Sequence, residues 1–124
     1  MSMDEFVQKR RYYRLKYPRR GRPVVRIDDQ LFHVSEISEK GIRIVMNNFA
    51  SLYRGLTLTG TLNLSIDYQI PVKGKVLRFD DNEVILQLDQ GPSFKDMVEQ
   101  QRHVRNKYPD FFARLRSQAV ALSQ

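Results

Sequence analysis

The chain contains no cysteine. That excludes disulfide scaffolds, zinc–thiolate sites, iron–sulfur clusters and a cysteine nucleophile. Long apolar runs are missing too. The longest is Ala119–Leu122, far short of the ~20 residues that span a bilayer. The opening MSMDEFVQKRR has no apolar core of the kind a signal peptide carries, so a cytoplasmic protein without membrane insertion is expected. Histidine is scarce: only His33 and His103 are present, and neither stands beside an acid–base motif. No histidines or carboxylates stand at metal-ligand spacing such as H-x-x-x-H, and the six glycines form neither a P-loop nor a dinucleotide fingerprint. No catalytic residue, metal ligand or cofactor is therefore assigned, and an enzyme is the least supported class.

What the chain does have is basic charge, concentrated at one end. With 124 residues, 41% of them hydrophobic and 28% charged, it suits one small globular domain with a modest core. Met1–Arg26 holds nine basic residues against Asp4 and Glu5, which accounts for the whole net charge of +7. The remaining residues balance, twelve basic against twelve acidic. A basic arm of this kind attracts an anion: nucleic acid, a phosphorylated small molecule or a membrane surface. Tyr12, Tyr13 and Tyr17 are interleaved with the arginines, and aromatics beside guanidinium groups favour base stacking as well as phosphate contact.

After the arm come six short stretches of strand character. They are Pro23–Ile27, Leu31–Ser35, Ile42–Met46, Leu56–Leu64, Gln69–Phe79 and Val84–Leu88. The fourth is the cleanest, with Leu56, Leu58, Leu62 and Leu64 alternating against threonines and Asn63, so that one face meets a core and the other water. Asp28-Asp29-Gln30 and Asp80-Asp81-Asn82 read as turns, since aspartate bonds its own backbone there. Short strands at this spacing predict a mainly β fold, a small antiparallel barrel or sandwich. Ser93-Phe94-Lys95-Asp96 then signals a helix start. A stripe of Phe94, Met97, Val98, Gln101, Val104, Arg105 and Tyr108 follows, packing on the open end of the barrel. Pro109 ends or kinks that helix, and Asp110–Ser123 begins a second. The expected layout is an arm over 1–22, a barrel over 23–91 and a segment of one or two helices over 92–124.

Binding chemistry sits in two clusters. Arg10, Arg11 and Arg14 offer guanidinium groups that grip phosphate oxygens through paired donors and stack on purines. Glu36-Ile37-Ser38-Glu39-Lys40-Gly41 supplies a carboxylate that can accept from the N1–H and amine of guanine. It also supplies a hydroxyl, and a glycine that permits close approach. Arg10-Arg11-Tyr12-Tyr13-Arg14 matches the RxxxR element of the PilZ domain family, and Glu36–Gly41 resembles its (D/N)xSxxG element. Both occur in order, separated by two short strands, and the strands and helix that follow also fit.

The resemblance implies a six-stranded antiparallel β-barrel that binds the bacterial second messenger cyclic di-GMP. Carried over by position, Arg10 and Arg14 contact phosphate and guanine, with Arg11 an adjacent candidate. Glu36, Ser38 and Gly41 line the other side, and Gly74 and Arg78 on the fifth predicted strand are further candidates. Glu36 departs from the family's Asp or Asn: it keeps the acceptor chemistry and adds a methylene. Because the whole net charge sits in the arm that carries RxxxR, the expected mechanism is a switch. Ligand neutralises the arginines and orders the arm across the barrel mouth, and a separate partner protein or an oligomer reads the change. Two other readings are a PilZ-like adaptor that binds no nucleotide and acts through protein contacts, and a small basic nucleic-acid-binding barrel.

Overall fold

The computed structural model describes residues 12–123. Seven strands and two helices follow in order: β1 (Leu15–Lys16), β2 (Val24–Ile27), β3 (Gln30–Ile37), β4 (Gly41–Val45), β5 (Thr57–Ser65), β6 (Tyr68–Asp80), β7 (Glu83–Gln90), α1 (Phe94–Lys107) and α2 (Pro109–Ser123). The strands pair antiparallel in the order β3-β2-β5-β6-β7-β4, and β4 returns to β3 to close a six-stranded barrel. Val25, Val34, Ile44, Leu62 and Val84 are fully buried inside it. The turn after β2 holds Asp28 at φ 50° and Asp29 at φ 64°. Two successive left-handed residues give the tight hairpin that the twist of the strands favours, so the paired acids are structural, as the sequence predicts.

The seventh strand, β1, lies within the stretch expected to form a basic arm. It pairs with the far end of β3, Leu15 opposite Ile37 and Lys16 opposite Glu36. The physical reason is apolar: Leu15 is fully buried and Tyr17 nearly so, which outweighs the like charges around them. Burial pushes the Tyr17 hydroxyl well above its ordinary pKa, so it stays a neutral donor. It donates a hydrogen bond to Gln100 Oε1 on α1 at 2.6 Å, and Gln100 Nε2 donates onward to the Leu64 carbonyl at 3.0 Å.

Helix α1 starts as expected at Ser93. The Ser93 hydroxyl accepts from the Asp96 amide at 3.1 Å, and the Asp96 carboxylate accepts from the Ser93 amide at 2.9 Å, a reciprocal cap. Its buried face is Met97, Gln100 and Val104, whereas Phe94 and Val98 of the expected stripe remain exposed. The helix ends at Lys107, and Pro109 opens α2, a first-turn position where proline's missing N–H costs nothing.

Four register shifts interrupt the barrel's ladders, one in the β3–β4 pairing, one in β5–β6 and two in β6–β7, and two of them bear on the outer face described below. In β3 the register slips between Val34 and Glu36, and in β6 between Val76 and Arg78. A bulge places two neighbouring side chains on one face and reverses the phase beyond it. Val34 and Ile37 both point into the core, and Ser35 and Glu36 both point out. Likewise Val76 points in while Leu77 and Arg78 point out.

Burial alone would push the Asp96 carboxyl up, but the Ser93 amide, the Tyr68 hydroxyl at 2.8 Å and the Ser93 hydroxyl together hold it below its ordinary value. A lowered carboxylate stabilises the fold above the ordinary carboxylate range, and that stability is lost as pH falls through the lowered value. Asp96→Asn is expected to cost about 1 kcal/mol at neutral pH, with the gap to the parent closing below about pH 4. Urea midpoints measured across pH check this.

Candidate functional site

The outward residues of five neighbouring strands form one row: Lys16, Glu36, Arg43, Ile85 and Arg78 are successive cross-strand partners on β1, β3, β4, β7 and β6. At an interstrand spacing of about 4.8 Å the row spans roughly 19 Å. Its last four members line a cleft of about 320 Å³ on the outside of the barrel. Ile85 is 7% exposed yet stands outside the core cluster, because it is the apolar floor of this cleft. The chain enters across one end, where Tyr12 and Arg14 line the cleft. They are fixed there by β1, and the amide of Tyr17 donates to the carbonyl of the bulged Ser35 at 3.0 Å.

Of the residues singled out from sequence, Arg14, Glu36, Ser38, Gly41 and Arg78 all line this cleft. Arg10 and Arg11 lie outside the described residues. Gly74 is not brought there. It faces the barrel interior, where a Cβ would sit 2.5 Å from the Gln87 carbonyl oxygen, so it permits β6 to approach β7. Ser38 is buried and braces the β3–β4 turn. Its amide donates to the Gly41 carbonyl at 2.8 Å, and its hydroxyl accepts from the Lys40 amide at 3.3 Å. A Cβ at Gly41 would crowd the Ser38 hydroxyl at 3.3 Å.

The cleft's charge is lopsided. Arg14, Lys40, Arg43 and Arg78 line it against one carboxylate, Glu36. Arg43 is the residue that the sequence reading missed. Its Nε faces Glu36 Oε2 at 3.3 Å, and its Nη1 meets Asp80 at 3.2 Å and Glu83 at 2.9 Å. Burial opposes the charged form of Arg43, but hydrogen bonds to Glu83 and Asp80 and the nearby Glu36 hold its pKa above the ordinary value. The Ser35 hydroxyl also donates to Glu83. The alternation Ile42-Arg43-Ile44 already marks Arg43 as outward-facing. Its partners come from three other strands, and nothing local in the sequence joins them. The site therefore combines several cationic donors, one buried acceptor and an apolar floor, which suits a compact anion carrying planar, donor-rich rings.

A second groove of about 760 Å³ runs between α1 and the β5–β6 turn. Its charges are mixed, with Asp67, Asp96 and Glu99 beside Lys95 and Lys107, and none of the candidate ligand-binding residues lines it. No helix among the described residues is long and apolar enough to cross a membrane.

The family model for the PilZ domain matches residues 8–107. No curated protein matches the chain. Among solved structures, the PilZ domain with c-di-GMP of YcgR from Escherichia coli is similar at a TM-score of 0.56 and 16% identity, over 90% of this chain and 98% of that one. The inhibitor of motility MotI/DgrA of Bacillus subtilis is similar at a TM-score of 0.58 and 20% identity, over 84% of this chain and 53% of that one. At these identities the likeness is one of fold, and this chain spans about half the length of the Bacillus protein.

The close approach at Gly74 generates an expectation independent of any ligand. Gly74→Ala would also bring its Cβ to 3.0 Å from Leu88 Cδ2, so the strands must part. A loss of about 1–3 kcal/mol is expected, read from chemical denaturation of the purified protein.

Proposed function

Because the chain belongs to the PilZ domain family, whose model covers most of it, we propose that it is a receptor for cyclic di-GMP. The observation that carries this reading is convergence: Arg14, Glu36, Ser38, Gly41 and Arg78, drawn from three separate stretches of sequence, line one basic cleft. The ligand of the Escherichia coli PilZ domain, c-di-GMP, has the chemistry such a cleft takes: two phosphodiesters and two guanines. Arg14, with Arg10 and Arg11 upstream, grips phosphate through paired donors and stacks on a guanine face. Glu36 accepts from the guanine N1–H and amine. Ser38 holds the turn that presents Gly41, and Arg78 closes the far end.

In this reading ligand binding draws the residues upstream of Tyr12 over the cleft, beside Arg14. The anchor for that movement exists without ligand, since Leu15 is buried and Tyr17 is bonded to Gln100 of α1. Tyr13 lies within electrostatic reach of Arg105 on the same helix. An ordered arm therefore forms a continuous surface with α1, and a partner protein or a second copy reads that surface.

One observation favours a second reading, a PilZ-like adaptor that works through protein contacts without nucleotide. The Glu36 carboxylate is already engaged by Arg43 at 3.3 Å, and an acceptor held in an ion pair is less available to a base. Titration calorimetry with cyclic di-GMP, with GMP and a short oligonucleotide as controls, separates the two. Saturable binding of cyclic di-GMP alone is expected. Arg14→Ala should weaken it by at least tenfold, since a charged hydrogen bond contributes about 1.5–3 kcal/mol. Its ligand-free melting temperature should barely move, because Arg14 is exposed. No heat and an unshifted melting temperature in the parent protein would establish the adaptor reading instead.

A further inference from the structure

Arg43 is gripped from both ends. Its Nε meets Glu36 inside the cleft, while Nη1 meets Asp80 and Glu83, neither of which lines the cleft. A guanidinium is planar and rigid, so fixing one end fixes the other. Glu83 is fixed in turn by the Ser35 hydroxyl, which the β3 bulge turns to the same face as Glu36. Glu36 itself is the awkward member. Its side chain is only 10% exposed, and it carries one more rotatable bond than an aspartate would. Lys16 stands opposite it across the β1–β3 ladder, but the ion pair of Glu36 among the described residues is with Arg43.

We propose that Arg43, clamped by Asp80 and Glu83, is the positioning residue that aims the Glu36 carboxylate at the guanine amine and so makes the site selective for that base. The proposal rests on the cyclic di-GMP reading. The chemistry is direct. A carboxylate oxygen accepts and cannot donate, so it rewards a purine that carries an exocyclic 2-amine and gains nothing from one that lacks it. A site built to meet a donor rejects the analogue without that donor far better than an apolar pocket rejects a missing methyl. That discrimination requires the acceptor to be held in place before the ligand arrives. A freely rotating glutamate would lose much of the gain to ordering. The clamp does this ordering on folding. Arg43 is spent on acids at its far end, so its role is to hold Glu36 and not to bind phosphate.

The test uses cyclic di-GMP and cyclic di-IMP, whose hypoxanthine keeps N1–H and lacks the 2-amine. Affinities for both are measured for the parent protein, Arg43→Gln, Glu83→Gln and Asp80→Asn. The parent is expected to prefer cyclic di-GMP by about tenfold or more, the equivalent of one charged hydrogen bond. In Glu83→Gln and Arg43→Gln that ratio should fall to within about threefold of unity, with cyclic di-IMP affinity nearly unchanged. A ratio that stays at the parent value in the folded variants overturns the proposal. So does an equal fall for both ligands, the signature of a phosphate contact or of general damage. If Arg43→Gln fails to fold, Asp80→Asn decides, since the Asp80 side chain is half exposed and its loss leaves the barrel intact. A parent protein that binds neither nucleotide overturns the receptor reading itself, an outcome distinct from binding without selectivity.

Discussion

Strand β3 has to satisfy three neighbours, and the rest of the architecture depends on how it does so. Its first half pairs with β2 and its second half with β4, and β1 occupies the edge that β2 leaves open. Closure of the barrel rests on the β3–β4 pairing. A regular strand there would bury Glu36 in the core with no counter-ion, a cost of several kcal/mol. The bulge at Ser35 removes that conflict by reversing the phase, so that Ile37 enters the core and Glu36 leaves it. The unpaired carbonyl that a bulge leaves behind is taken by the Tyr17 amide, which fastens the basic segment beside the acid. One irregularity thereby closes the barrel, turns the acceptor out of the core toward the cleft and seats the arginine segment next to it.

The second bulge, at Leu77, does the matching work on the opposite wall. It turns Arg78 outward at the end of the row that starts from Glu36. Between them Arg43 joins four strands through side chains alone. Its three carboxylate partners carry more negative charge than it neutralises, and the surrounding Arg14, Lys40 and Arg78 supply the balance. The cleft is thus a place where opposed charges are held near each other by the pairing of the strands that carry them.

Much of this was legible in the sequence. The six barrel strands follow from period-two alternation in stretches such as Leu56–Leu64, and the turns follow from Asp28-Asp29 and Asp80-Asp81-Asn82. The two clusters around Arg14 and Glu36–Gly41, with Arg78, named five residues that do meet in one cleft. What escaped has a common cause. Bulges break the period that strand reading relies on, so the phase of Glu36 and Arg78 could not be counted from their neighbours. Arg43 looked like an ordinary outward residue because Asp80 and Glu83 reach it only once the barrel closes. Leu15 and Tyr17 were hidden by the charge around them: among many arginines they read as part of an anion-binding arm, though both are buried against the barrel. Gly74 drew attention as a cleft residue when its role is to let two backbones approach.

The bond from Tyr17 to Gln100 joins residues 83 positions apart. During synthesis the segment carrying Tyr17 leaves the ribosome early, yet its hydroxyl acceptor sits on a helix translated after every strand of the barrel. The β2–β3 hairpin can form as soon as it emerges, because its contacts are local. The docked position of β1 is completed only when α1 arrives. Until then β1 has its ladder to β3 and lacks the bond from Tyr17. A product cut short before α1 would therefore carry both motifs and lack the acceptor that holds Tyr17.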